Sequence, residues 1–250
     1  MSVMPAIEGC GMEEMVSGII RRYSEAEVLP PVLLYVDSNC CRKSALMDIF
    51  RSAWPDLVVR LDVWHLMRRL AVGGTTDTHR LYATFMGQLS AAIFQWDRTN
   101  LNLLTAAKRE ERIHSNIQNP SDSDIQARLD RKELSLHCRR MTRSTEVITE
   151  RIQAVLELFD VDSGRDTIGV PLLHHERIWE LWKQQQKHVE CLQDPKGVQL
   201  YTQTGTLKKG GVVLPMYRCA RGSTSLESFH LHLQRFIPGK FYFTVWYLRY

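Results

Sequence analysis

Val32–Val36 (VLLYV) limits the fold more than any other stretch of the chain. Its apolar, β-forming residues run without alternation, which is the pattern of a strand covered on both faces. Pro30 and Pro31 stop the preceding segment, where Met15, Ile19 and Tyr23 step at helical spacing within a predicted helix over 13–27. The strand delivers Asp37 to the loop at its C-terminal end. A short helix is predicted over 43–53, then a second strand over Leu57–Leu61 (LVVRL). That strand runs into Asp62 and a helix carrying Trp64, His65, Leu66, Met67 and Leu70. Strand, helix, strand, helix is the opening of an α/β fold.

Gly73-Gly74-Thr75-Thr76 ends this pattern, and from about Thr78 to Leu192 the periodicity is helical only. Tyr82, Phe85, Leu89, Ile93 and Trp96 form one stripe, and Ile148, Ile152, Val155, Leu156 and Phe159 another. Ile178, Leu181, Trp182 and Val189 mark a further helix. Strand-like segments return at 198–203 and 212–219, joined by Lys208-Lys209-Gly210-Gly211 as a hairpin, before a last helix over 225–236. The expected organisation is residues 1–72 as the first part of a core, 73–193 as a helical insertion, and 194–250 as a return to the core.

A chain of 250 residues buries about 75% of its unfolded surface and needs no disulfide staple. With 44% apolar and 24% charged residues, a disordered or collagen-like class is excluded. No apolar run approaches the roughly 20 residues of a membrane span. The first twenty residues hold three Glu and no Lys or Arg, so a secretory signal is not expected and the chain is placed inside the cell. Cys10, Cys40, Cys41, Cys138, Cys191 and Cys219 contain no C-x-x-C, and an adjacent pair makes a strained disulfide. Reduced thiols rather than a zinc site are therefore expected.

Three constellations carry candidate chemistry. Asp37 stands where α/β sheets collect ligands, and it also suits a turn or helix cap. Asp62 and His65 share a helix face at i and i+3, and Asp62 also suits an N-cap. Glu227 lies beside the apolar stripe Leu226, Phe229, Leu233 and Phe236, and Thr224-x-x-Glu227 also reads as a capping box. After Asp194, Glu227 is the only acid against eight basic residues, a composition suited to phosphates. Candidate phosphate contacts are Lys208, Lys209, Arg218, Arg221 and Arg235, with Arg68 and Arg69 beside His65. Arg139, Arg140 and Arg143 read as a solvated face, and His174-His175 and His230-x-His232 lack ligand spacing.

The order LLYVDSNCC, VRLDVWHLMRR, YRCARGSTSLESFHLHLQRFIPG resembles the DDE-type transposase-derived proteins abundant in fish genomes, and more distantly the Mutator-like transposases. The resemblance covers residues 1 to about 239 and implies a partial RNase H-like core interrupted by an all-helical insertion. It implies that Asp37 matches the second catalytic Asp, that Asp62 and His65 match a D-x-x-H pair, and that Glu227 matches the final Glu. Asp37, Asp62, His65 and Glu227 would then be metal ligands for Mg²⁺ or Mn²⁺, with DNA as partner, nuclear residence, and a homo-oligomer as one possibility. Two such ions would activate the attacking oxygen and stabilise the leaving one.

The family's first Asp has no match, because residues 1–36 contain no Asp. The strands that flank the parallel pair in that fold are also missing, which would leave an unpaired edge. The aromatic stretch KFYFTVWYLRY has no counterpart in the family, so a truncated or abnormally spliced product is expected. The leading expectation is a transposable-element-derived protein, inactive as it stands. The alternatives are a non-catalytic DNA-binding or scaffolding module, or a metal-dependent nuclease using Asp37, Asp62 and Glu227.

Overall fold

The structure is a computed structural model that describes residues 13–37, 40–41, 45–76, 78–114, 121–222 and 247–249. In chain order the helices are α1 (Glu13–Glu25), α2 (Ala45–Ala53), α3 (Val63–Ala71), α4 (Tyr82–Ile93), α5 (Arg98–His114), α6 (Asp122–Gln126), α7 (Arg131–His137), α8 (Thr145–Phe159) and α9 (His175–Gln185). The strands are β1 (Leu33–Val36), β2 (Val58–Leu61), β3 (Phe94–Trp96), β4 (Arg140–Thr142), β5 (Tyr201–Lys209), β6 (Val212–Cys219) and β7 (Tyr247–Arg249). The chain thus mixes helix with small sheets, and among the described residues no helix is long and apolar enough to cross a membrane.

The described residues fall into two units, one within Met1–Ser90, Ser144–Val198 and Gly222–Tyr250, the other within Ala91–Arg143 and Gln199–Arg221. In the first, all four β1 residues are buried, as the continuous apolar run requires. β1 pairs with β2 in parallel, Leu33 opposite Val58 and Val36 opposite Leu61, with α2 as the crossover that a parallel pair needs. Around it, Tyr23 of α1 meets Trp54 edge to face at 5.1 Å, and Phe50 of α2 stacks on the same ring. The Gly73-Gly74 break is a docking point. A Cβ on Gly73 would stand 3.2 Å from the Ile178 Cα of α9, and the Gly73 carbonyl accepts from His174 N–H at 2.9 Å.

Two expectations are corrected here. β7 pairs antiparallel with β1, Leu33 opposite Arg249 and Tyr35 opposite Tyr247, so the edge expected to be unpaired is covered by part of the unmatched C-terminal stretch. The span from 78 to 192 is not purely helical, because α4 ends at Ile93 and β3 pairs antiparallel with β4, Phe94 opposite Thr142. Trp96, read as the end of a helical stripe, belongs to that ribbon.

In the second unit, Leu104, Ala107, Cys138 and Leu214 form a buried cluster under Trp96, Leu134 and Val212. The β5–β6 hairpin is the one expected from the Gly-Gly turn. Gly210 and Gly211 both take positive φ, 55° and 79°, and a Cβ on Gly210 would stand 2.5 Å from the Ala107 carbonyl oxygen. Among the described residues, β5 and β6 form a two-stranded sheet with a register shift between Gln203 and Gly205. Neither break at 73 or 193 coincides with a boundary between the units. The expected last helix over 225–236 lies outside the described residues.

Leu34, fully buried in the central strand, tests the β1 core. Leu34→Ala should destabilise the protein by about 2–5 kcal/mol, read as a lowered denaturant midpoint.

Candidate metal centre

The parallel register sets the site. Because Val36 lies opposite Leu61, Asp37 and Asp62 follow at the same ends of neighbouring strands, and the Asp62 N–H donates to the Val36 carbonyl at 2.9 Å. Asp62 is the N-cap of α3: its Oδ1 accepts from Trp64 N–H at 2.8 Å. The capping role foreseen as the plain alternative is therefore real, but it uses one oxygen. Asp62 is only 2% exposed, and among the described residues its Oδ2 meets no hydrogen-bond partner. A buried carboxylate oxygen left unsatisfied is costly, about 1–3 kcal/mol or more for a charged group, and a cation would satisfy it. Gly222, at φ 78°, lies against this atom, since a Cβ there would be 3.5 Å from Oδ2. His65 follows one turn along α3, its ring edge-on to Trp64 at 4.9 Å. Glu227 and Arg235 lie outside the described residues.

A second donor set was not expected from the sequence. Cys40, Cys41, His188 and Cys191 place one ligand atom each within 4.8 Å of one another. His188 Nδ1 is 3.2 Å from both Cys40 Sγ and Cys41 Sγ, Cys41 Sγ is 2.8 Å from Cys191 Sγ, and the two adjacent sulfurs are 3.6 Å apart. The local cause is helical phase. After α9 the chain makes two 3-10 turns, Gln186–His188 and Glu190–Leu192, in which side chains three apart eclipse. Val189 and Leu192 take the buried side, which leaves His188 and Cys191 together on another. All five described cysteines are free thiols. Burial first, then its hydrogen bond to Cys191, raises the Cys41 thiol above its ordinary value, and Cys40 and burial raise Cys191 further.

Arg69 braces both halves of this set. One guanidinium nitrogen donates to the Asp37 carbonyl at the end of β1, the other to Gln185 Oε1 at 3.1 Å, one residue before the 3-10 turns. Arg60 of β2 donates to the Gln193 carbonyl at 2.8 Å just after them.

The basic residues read as phosphate contacts fare unevenly. Arg69 is engaged as above, and Arg68 donates to the Tyr82 hydroxyl at 3.0 Å. Arg221 stacks over Phe94 at 5.0 Å and donates to the Arg140 carbonyl at 3.1 Å. Lys209 pairs with Glu133 and, at 3.7 Å, with Glu111. Lys208 and Arg218 are exposed. Nor is the Arg139–Arg143 stretch a solvated face: Arg139 pairs with Asp97 at 2.9 Å, and Arg140 covers Phe94 at 4.6 Å, so that ring carries two guanidinium groups.

Compared with protein-family models, curated proteins and solved structures, the chain matches none.

Glu133 gives a pH test of the Lys209 assignment. Burial alone would raise its carboxyl, but hydrogen bonds from Lys108 and Lys209 hold it down to about 2. A depressed folded value stabilises the native state above the unfolded carboxyl range and loses that contribution as pH falls. Glu133→Gln should lower the melting temperature at pH 7, and the gap from the parent should close between about pH 5 and pH 2.

Proposed function

We propose that the chain is a transposase-derived protein with a partial RNase H-like core, acting on DNA by ancestry and not cleaving it as it stands. The observation that supports this reading is the unsatisfied Asp62 Oδ2 beside Asp37 at the ends of two parallel strands. Gly222, next to that oxygen, precedes Glu227 by five residues, which favours Glu227 as a further ligand. These residues fit a hard divalent ion. Asp62, with Asp37 and Glu227, would hold Mg²⁺ through oxygens. When bound, the ion would supply charge neutralisation at a phosphodiester oxygen. The protein's own part is to bury Asp62, fix one of its oxygens on the α3 cap and leave the other open. Residues 1–36 contain no Asp, so that stretch adds no further Asp to the set. DNA as partner and nuclear residence belong to the same proposal.

Calorimetric titration of the full chain with Mg²⁺ tests it, since a hard ion does not select thiolates. Heat of binding is expected in the parent and lost in Asp62→Asn and Glu227→Gln, with no nicking of supercoiled plasmid. No Mg²⁺ binding in the parent overturns the proposal. Nicking that disappears in Asp37→Asn, Asp62→Asn and Glu227→Gln replaces it with the nuclease reading.

A further inference from the structure

We infer that Cys40, Cys41, His188 and Cys191 form a structural Zn²⁺ centre of the Cys₃His type. Three sulfurs and an imidazole nitrogen are the donor set that tetrahedral structural zinc takes, and four protein ligands close the coordination sphere. With Zn–S bonds of about 2.3 Å and Zn–N of about 2.0 Å, a tetrahedron spaces its donors about 3.5–3.8 Å apart. The separations of 2.8, 3.2, 3.2 and 3.6 Å, in a set spanning no more than 4.8 Å, lie near this range, and the narrowest widens by about 1 Å to admit the ion.

A disulfide accounts for the cluster less well. It would join two sulfurs at about 2.05 Å, whereas three sulfurs and His188 Nδ1 all lie within 4.8 Å of one another. Zinc would engage all four groups at once: the thiols release their protons to solvent as the Zn–S bonds form, and no oxidant is consumed. The donors come from two places nearly 150 residues apart in sequence. The ion would therefore tie the loop after β1 to the 3-10 turns after α9, closing a long loop where cross-linking constrains the unfolded chain most. Cys40 follows Asp37 by three residues, so the same tie would fix the loop that leaves that strand end. This inference is independent of the function proposed above.

The test is titration of the reduced, metal-free full chain with Co²⁺, read by visible absorption, followed by Zn²⁺ displacement and metal analysis. The expected result is one equivalent of Co²⁺ with the intense bands of tetrahedral thiolate coordination, displaced by one equivalent of Zn²⁺. Cys191→Ser and His188→Ala should each weaken binding by more than the roughly 10–100-fold that loss of an outer-shell partner costs, while Cys138→Ser and Cys219→Ser leave it unchanged. Chelation of the zinc form should lower the melting temperature of the parent. Three results would overturn the inference: no tetrahedral absorption in the reduced parent, absorption unchanged by Cys191→Ser and His188→Ala, or a Cys41–Cys191 disulfide with no metal bound. The parent measurement stands whether or not a variant folds.

Discussion

Everything assigned to the first unit depends on one parallel strand pair. The β1–β2 register aligns Val36 with Leu61, and a slip of one residue would turn every side chain of a strand to its other face. β1 resists the slip because both of its faces are buried. The same register brings two carboxylates to one end of the sheet and starts the loop that carries Cys40 and Cys41. The paired carboxylates and the sulfur cluster are thus two products of a single packing arrangement.

Local pattern made the strand pair and the helices after them legible: β1, β2 and α3 lie within a residue or so of where the pattern puts them, while α9 ends at Gln185, four residues short of Val189 in the expected stripe. β3 and β4 escaped because three-residue strands carry too little pattern to interrupt a helical stripe. β7 escaped because its partner is β1, more than two hundred residues away. Asp62 showed its capping role in the sequence, but its second oxygen became notable only once burial was known. The Cys/His set had a local trace, His188-x-x-Cys191, at the spacing that a 3-10 turn eclipses. Nothing in the sequence linked it to Cys40-Cys41, since convergence over that separation is a property of packing and not of period.

Charge was the most misleading signal. A run of basic residues with one acid reads as a surface for phosphates, yet several of these cations serve the fold. Two guanidinium groups, of Arg140 and Arg221, stand over Phe94 at 4.6 and 5.0 Å, and Lys209 and Lys108 share Glu133. A planar, weakly hydrated cation can cover an aromatic ring and still keep its hydrogen bonds. Counts of basic residues therefore overstate the charge available to a polyanion.

The division into two units has a consequence for how the protein is made. The chain passes from one unit to the other at residues 90/91, 143/144, 198/199 and 221/222, so neither is a continuous stretch of sequence. A ribosome emits Ala91–Arg143 of the smaller unit, then α8 and α9 of the larger, before the hairpin that completes the smaller one. Neither core can close in the order of synthesis, and each must wait with exposed apolar surface for a segment still to come. No single cut in the gene therefore releases either unit whole.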